Sequence, residues 1–143
     1  TFDSAFAAVM RGCAEPRRDH FGTWVTDSMI NAYLTLHRHG HAHSVECWLG
    51  DELVGGLYGV AIGQVFFGES MFSRATDASK VAMASLVARL REWGYQLIDC
   101  QVHNPHLASL GAATIKRGDF DTMLSQHCLR SPAPHAWRQG QNR

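Results

Sequence analysis

Residues 44–72 read SVECWLGDELVGGLYGVAIGQVFFGESMF, and this stretch decides the fold. It contains three runs of aliphatic, aromatic and β-branched residues, separated by Gly50-Asp51-Glu52 and by Gly63, which both favour turns. These runs predict strands over about 44–49, 53–62 and 64–72. Because short turns join consecutive strands, we expect the strands to pair as an antiparallel meander.

Helical periodicity is present in the sequence both before and after the meander. The other predicted elements are helices over 2–13, 26–40, 77–93, 104–110 and 119–129 and a strand over 95–102. The order α-α-β-β-β-α-β-α-α predicts an α+β fold, a mostly antiparallel sheet flanked by helices. No repeat or low-complexity segment interrupts this order.

The composition is that of one ordinary globular domain. The chain has 143 residues, of which 45% are hydrophobic and 18% charged, so a disordered protein is excluded. The formal net charge is zero, whereas nucleic-acid binders are usually basic, so composition alone does not favour a nucleic-acid partner. No apolar run approaches the ~20 residues of a membrane helix, so we expect no membrane partner.

The cysteine spacing and the first residues give expectations about the cellular compartment of the protein and about whether the chain is a fragment. Cys13, Cys47, Cys100 and Cys128 are widely spread and form no C-x-x-C pair, which predicts reduced thiols in a cytoplasmic protein. No signal-peptide pattern occurs at the start. The chain begins at Thr1 without a methionine, which is consistent with a fragment of a longer protein.

Four histidines raise the alternative of a metal site. His37, His39, His41 and His43 alternate along the chain, and the closest additional ligand is Glu46. Gly40 interrupts the run, and real metal sites need a fixed ligand set with supporting hydrogen bonds. We therefore expect neither a metal nor another cofactor.

The most informative short segment is Asp99-Cys100-Gln101. In a strand, alternate side chains point to opposite faces, so Asp99 and Gln101 are expected on one face. Ile98, Cys100 and Val102 would then line the opposite face, toward the core. The alternative is that Asp99 and Gln101 are ordinary polar residues at a strand end, where they cap the next helix.

A glutamate lies in an apolar part of the third predicted strand. Glu69 has Phe66, Phe67, Met71 and Phe72 close to it in the sequence. A carboxylate in such surroundings needs a partner or titrates abnormally. The alternative is that Glu69 occupies the solvent side of a half-buried strand.

The sequence contains no Walker loop, no G-x-G-x-x-G, no G-x-S-x-G and no H-E-x-x-H motif. No serine or cysteine occupies a recognised nucleophile motif either. If the protein is an enzyme, we expect it to transfer a group that is already activated.

Several segments, spread from about Phe2 to Trp137, resemble one protein family. They are residues 22–26, 40–46, 51–60, 68–74, 78–80, 97–102 and 108–112. The family is that of the bacterial leucyl/phenylalanyl-tRNA–protein transferases. The resemblance implies a fold similar to the GCN5-related acetyltransferases over residues 1–131, followed by an irregular C-terminal tail over residues 132–143. The smaller N-terminal domain usual in the family is absent from this chain.

The resemblance also implies an activity, partners and site residues. Leucine or phenylalanine, and methionine less well, would move from aminoacyl-tRNA to acceptor proteins with N-terminal Arg or Lys, and so mark them for N-degron degradation. The implied catalytic residues are Glu69, Asp99 and Gln101. The implied substrate-binding residues, for the apolar side chain and the terminal adenosine, are Trp24, Leu57, Phe66, Met71, Leu86 and Ile98.

Two alternatives from other functional classes remain open. A CoA-dependent N-acetyltransferase of the same fold usually has a glycine-containing phosphate loop before its main helix, but residues 74–79 contain no glycine. Asp77 at that helix N-terminus would also repel a pyrophosphate. The other alternative is a non-catalytic protein that binds basic N-termini through Glu69 and Asp99.

Overall fold

The computed structural model describes residues 1–16 and 25–138. Its elements, in chain order, are α1 (Phe6–Ala14), α2 (Asp27–Arg38), β1 (Ala42–Leu49), β2 (Glu52–Ile62), β3 (Val65–Ser73), α3 (Ala78–Glu92), β4 (Leu97–Asp99), α4 (Pro105–Ser109) and α5 (Arg117–His127). The predicted order of elements is therefore confirmed.

The four strands form one mixed sheet in the order β1-β2-β3-β4. β1 pairs with β2 and β2 with β3 in antiparallel fashion, so the predicted meander is confirmed. β4 pairs with β3 in parallel, because α3 carries the chain back along the sheet before β4 begins. The α+β class and the mostly antiparallel sheet are therefore as expected.

The sheet separates two hydrophobic clusters. Successive residues of a strand point to opposite faces, and Tyr58 and Leu57 accordingly belong to different clusters. The first cluster includes Phe6 and Met10 and is covered by α1 and α2. The second includes Leu86 and is covered by α3. Below they are called the α1/α2 face and the α3 face of the sheet.

The first helix begins later than predicted. α1 starts at Phe6, so the expectation that Phe2 belongs to its apolar stripe is wrong. Phe2 instead forms an antiparallel bridge with Val45 at the edge of β1, and its ring lies 5.8 Å from that of Trp93. The first residues extend along β1 because its edge offers unpaired backbone groups.

The predicted strand over 95–102 is wrong at both ends, because β4 contains only Leu97–Asp99. Beyond Asp99 the backbone turns: Gln101 has φ +64°, and the Val102 N–H donates to the Cys100 carbonyl oxygen at 2.7 Å. Val102 is 68% exposed and Cys100 only half-buried, so the core-facing side assigned to them does not exist.

The residues after α5 pack back onto the domain. The Trp137 ring stacks on His43 at 4.0 Å and lies 4.9 Å from that of Trp93. Its indole Nε1 donates to the Tyr95 hydroxyl at 2.9 Å. The irregular segment over 132–138 therefore adds to the cluster on the α3 face.

No helix in the described part of the chain is both long and apolar enough to pass through a membrane.

Candidate functional site

Glu69 is the extra residue of a β-bulge between β2 and β3. Tyr58 pairs with Ser70, and the next residue, Gly59, pairs with Gly68, so Glu69 has no partner in β2. A bulge of this kind redirects a side chain and is common beside functional sites. The regular alternation assumed for this strand is therefore broken at Glu69.

A tyrosine of α2 interacts with the charge of Glu69. Burial, followed by the charge of Glu69, raises the pKa of Tyr33 to about 12, so its hydroxyl remains protonated throughout the neutral range. Glu69 is half-buried and lies beside this phenol on the α1/α2 face.

A second tyrosine lies behind the first. The Tyr58 ring is fully buried 5.2 Å from that of Tyr33, and its hydroxyl has no hydrogen-bond partner among the described residues. Burial, followed by the nearby Cys13, Tyr33 and Glu69, raises the pKa of Tyr58. The environment of Glu69 therefore contains two protonated phenols.

Asp99 and Gln101 are brought to the bulge by the end of β4. Asp99 is in register with Phe67 of β3. Its Oδ1 accepts a hydrogen bond from the Gln101 backbone N–H at 2.8 Å, and the Gln101 Nε2 donates to the Gly68 carbonyl oxygen at 2.8 Å. The Gln101 side chain thus reaches the residue that immediately precedes Glu69.

Asp99 and Gln101 lie close together for a reason different from the one expected. They do not share a strand face, because Gln101 lies beyond β4 in a left-handed conformation. A carboxylate that accepts from a backbone N–H two residues later offers the chain an alternative to strand pairing. The structure therefore joins Asp99 and Gln101 through a turn.

Cys100, between them, does not provide an activated thiolate. Burial, followed by the charge of Asp99, raises the pKa of the Cys100 thiol. A thiol with a raised pKa is protonated at neutral pH and is a poor nucleophile. All four cysteines are free thiols in the structure.

Asp99 and Gln101 line a cleft of about 940 Å³ between α3, β4, α4 and α5. Its apolar lining includes Met83, Val87, Leu90, Ile98, Leu107 and Phe120. The cleft therefore places apolar surface beside the polar end of β4.

The apolar candidate residues are not gathered in one open pocket. Ile98 is half-buried and lines this cleft, whereas Met71 lines a separate groove beside the start of α3. Leu57, Phe66 and Leu86 are at most 2% exposed in the core of the α3 face. Trp24 lies outside the described residues. Their assignment to a substrate pocket remains a prediction.

Two of the four histidines, His37 and His43, lie near Asp3, at 3.9 Å and 2.8 Å from its carboxylate oxygens. The His43 Nδ1 lies 2.8 Å from Asp3, whereas the His37 Nδ1 contacts the Ala42 carbonyl oxygen at the same distance and its ring stacks on Phe6. Within residues 1–16 and 25–138 no three His, Cys, Asp or Glu side chains converge as metal ligands.

The sequence reasoning missed the two tyrosines. Tyr33 was assigned only to the apolar stripe of α2, and Tyr58 only to a strand. The available signal was chemical: a tyrosine on a core-facing position buries a hydroxyl that needs a partner. Gly68 was also missed, because it contributes a backbone oxygen that no side-chain pattern indicates.

The fold and this cluster define a class of α+β domain. In it, a turn formed by Asp99 and Gln101 at the end of β4 contacts the backbone beside Glu69, the bulge residue of β3. Comparison with known proteins specifies the family. Residues 1–125 match the family model described as leucyl/phenylalanyl-tRNA protein transferase, so the chain belongs to that family.

Relatives with the name leucyl/phenylalanyl-tRNA–protein transferase agree with this assignment. The protein from Stutzerimonas stutzeri (strain A1501) is 58% identical over 138 residues, which are 96% of this chain and 61% of that protein. The protein from Pseudomonas fluorescens (strain SBW25) is also 58% identical, over 96% of this chain and 60% of its own length. The protein from Methylococcus capsulatus is 54% identical over 96% of this chain and 59% of its own length. The chain therefore spans about three fifths of these relatives.

Proposed function

We propose that the protein moves leucine or phenylalanine, and methionine less well, from aminoacyl-tRNA to acceptor proteins that begin with Arg or Lys. The observation that carries this proposal is the turn by which Asp99 directs Gln101 to the backbone beside Glu69. Asp99 holds the Gln101 backbone at 2.8 Å, and Gln101 reaches the Gly68 carbonyl oxygen beside Glu69. Family membership supports the reaction class, and the product would be marked for degradation in the cytoplasm.

The chemistry needs positioning more than activation. The aminoacyl ester is already activated, so neither ATP nor a metal is required. The acceptor α-amine has an ordinary pKa of about 7.7–8.0, so a substantial fraction is neutral near pH 7.5 and can attack once it is oriented. An amide oxygen placed beside the amine is sufficient for this purpose.

Gln101 is the group that would orient the amine. Its Nε2 is already engaged with the Gly68 carbonyl oxygen, so the Oε1 is the atom that would accept a hydrogen bond from the attacking amine. Asp99 fixes the backbone of Gln101 and places a negative charge nearby. That charge also favours the ammonium character that develops as the C–N bond forms.

Glu69 would bind a cationic group of one substrate, either the basic first residue of the acceptor or the ammonium group of the donor. The phenol of Tyr33 beside Glu69 stays protonated and is able to donate to this carboxylate. As the C–N bond forms and the C–O ester bond breaks, the amine would lose a proton to the adjacent ribose hydroxyl or to water, which in turn would protonate the leaving ribose oxygen.

A fold similar to that of the GCN5-related acetyltransferases is part of this proposal. The parallel pairing of β3 with β4, joined through α3, supports it. The start of α3, however, argues against the alternative of a CoA-dependent acetyltransferase. Asp77 is the N-cap residue of α3, with φ +63°, and its carboxylate pairs with Lys80 at 3.0 Å, so a negative charge lies near the helix N-terminus that a pyrophosphate would need.

One experiment separates the three candidate functions. The protein is mixed with an Arg-starting peptide and either labelled Leu-tRNA or labelled acetyl-CoA. We expect label on the peptide from Leu-tRNA only, lost in Gln101→Ala and retained in the matched control Gln64→Ala, whose amide bonds to the Ser131 carbonyl oxygen away from the cluster. Label from acetyl-CoA would establish an acetyltransferase, and peptide binding without turnover would establish a binding protein.

A further inference from the structure

The rim of the cleft beside Asp99 and Gln101 is positively charged. Its charged lining residues are Arg91 of α3, Arg117 of α5 and Asp99, with His103 as a further titratable group. The chain as a whole is neutral, so this excess of positive charge is local. A local cationic cleft raises the concentration of anionic ligands near it.

The two arginines have no acidic partner within the described residues. Other cations of the chain do: Arg74 pairs with Glu15, Lys80 with Asp77 and Arg89 with Glu92. Arg91 and Arg117 are both exposed and form none of these pairs. Their charges therefore remain available to a ligand in the cleft.

An aromatic ring accompanies one of the arginines. The Arg117 guanidinium lies 5.7 Å from the centroid of the Phe120 ring, one turn further along α5, and both residues line the cleft. An aromatic ring beside an arginine is the combination on which unpaired bases stack, while the guanidinium contacts phosphate. The rest of the lining combines apolar side chains with the polar Gln96, Asn104 and Thr114.

The volume of the cleft also bears on its occupant. Ligand pockets commonly have volumes of about 300–1,000 Å³, and this cleft has about 940 Å³. That is more than one amino-acid side chain fills. Asp99 and Gln101 are among its lining residues, so a ligand in the cleft would lie beside the proposed reacting groups.

We propose that this cleft binds the single-stranded 3′ end of the donor tRNA, with Arg91 and Arg117 contacting phosphates upstream of the aminoacylated nucleoside and Phe120 stacking on a base. The inference rests on the proposed function and specifies where its RNA substrate lies. An acceptor protein with a basic N-terminus fits the same cleft less well, because the two arginines would repel its first residue.

The test compares two donors with the same aminoacylated nucleoside, one with and one without the upstream nucleotides and their phosphates. Leu-tRNA carries them, whereas leucyl-adenosine, esterified at its ribose, carries none. For Arg91→Ala, Arg117→Ala and the double variant, we expect KM for Leu-tRNA to rise about tenfold or more, while transfer from leucyl-adenosine changes less than twofold. Each lost phosphate contact should also reduce the salt dependence of tRNA binding, by about 0.7 in the slope of log K against log salt.

Two further variants distinguish the effect of losing a charge in the cleft from an effect on folding. Arg130→Ala removes an exposed arginine that lies beyond the other end of α5 and does not line the cleft, so KM should not change. Arg117→Lys keeps the charge and should retain the salt dependence of binding. Thermal unfolding of every variant verifies that the domain is intact.

Several outcomes would overturn the inference. One is a wild-type KM for Leu-tRNA in the double variant. Another is a raised KM for the acceptor peptide with both donors, which would assign the cleft to the acceptor. If the unmodified protein transfers from neither donor, the proposed function fails; binding of fluorescent tRNA then tests the cleft separately, and equal affinity in the double variant rejects it.

Discussion

Oδ1 of Asp99 accepts a hydrogen bond from the backbone N–H of Gln101 at 2.8 Å, so the carboxylate fixes the backbone from which the amide side chain extends. Gln101 is held there with φ +64°, a conformation that non-glycine residues rarely adopt. Its Nε2 then reaches the Gly68 carbonyl oxygen. Asp99 and Gln101 consequently form one unit, in which the first residue determines where the second points.

Substitutions of this pair should therefore be non-additive. We expect Asp99→Ala and Gln101→Ala each to lower the single-turnover rate of transfer from Phe-tRNA by about 10²-fold or more. The double variant should be little slower than the slower single variant, because residues that share one role fail together. Fully additive losses would mean that the two residues act separately.

Asp99→Asn provides a graded control for the same pair. The asparagine Oδ1 can still accept the bond from the Gln101 N–H, but the negative charge is lost. Its rate should therefore lie between those of the unmodified protein and Asp99→Ala. A rate equal to that of Asp99→Ala would show that the charge, and not the turn, is what the reaction requires.

The conformation of Gln101 leads to a second prediction, about stability. A left-handed conformation costs a non-glycine residue roughly 1–2 kcal/mol, and glycine has no such cost. Gln101→Gly should accordingly have a free energy of unfolding about 1 kcal/mol higher than Gln101→Ala, although both lack the amide and transfer slowly. Urea unfolding of the two variants measures this difference, and equal stabilities would contradict the φ angle.

The sequence predicted the fold well because its signals are local. The three hydrophobic runs of residues 44–72 and their glycine turns specify β1, β2 and β3 without reference to distant residues. Thr26 and Asn104 lie at the predicted starts of two helices, and each side chain accepts a backbone hydrogen bond there. The parallel pairing of β4 could not be derived from such signals, because it depends on how α3 crosses the sheet.

The candidate site was only partly predictable for a related reason. Asp99, Gln101 and Glu69 were expected as candidate residues. Their arrangement, however, depends on a bulge at Glu69 and a turn after Asp99, and both are matters of backbone register. A register shift of one residue cannot be recognised from the composition or the periodicity of the sequence. The proximity of Tyr33 to Glu69 joins α2 to β3, which are far apart in the sequence, and was therefore not foreseen.

The third prediction compares two buried tyrosines. Within residues 1–16 and 25–138 the Tyr58 hydroxyl has no hydrogen-bond partner, whereas the Tyr95 hydroxyl accepts from the Trp137 indole at 2.9 Å. Tyr58→Phe should leave the free energy of unfolding unchanged or raise it by up to about 1 kcal/mol, because it removes an unsatisfied buried hydroxyl. Tyr95→Phe should lower it by about 1–2 kcal/mol, since the indole N–H loses its acceptor. A clear loss in Tyr58→Phe would indicate a hydrogen-bonded hydroxyl.

The fourth prediction concerns the segment after α5. Trp137 packs on His43, Phe66, Trp93 and Tyr95, so this irregular segment contributes to stability. Trp137→Ala should lower the free energy of unfolding by about 2–4 kcal/mol, somewhat less than for a fully buried ring. The control is Leu129→Ala in the same region, where an 89% exposed side chain should cost almost nothing. Equal stabilities of the two variants would show that the segment is dispensable.

The fifth prediction concerns the choice of donor. Transfer from Leu-tRNA and Phe-tRNA should exceed transfer from Ile-tRNA and Val-tRNA, because a shaped apolar pocket rejects branching at Cβ. Shape alone distinguishes such side chains by only ~1–3 kcal/mol, or about 10–200-fold in rate. Equal rates with Leu-tRNA and Val-tRNA would exclude a shaped pocket.

Burial suggests which residues control that choice. Ile98 is half-buried and lines the cleft, so Ile98→Ala should reduce the preference for Leu-tRNA over Val-tRNA by making room for a branched side chain. Leu86 is fully buried under the sheet, so Leu86→Ala should cost about 2–5 kcal/mol of stability and leave the preference unchanged below its melting temperature. The measurement is the ratio of single-turnover rates with the two donors, alongside thermal unfolding. If Leu86→Ala changes the ratio as much as Ile98→Ala does, the donor side chain enters the core of the α3 face, and Leu57 and Phe66 become its next contacts.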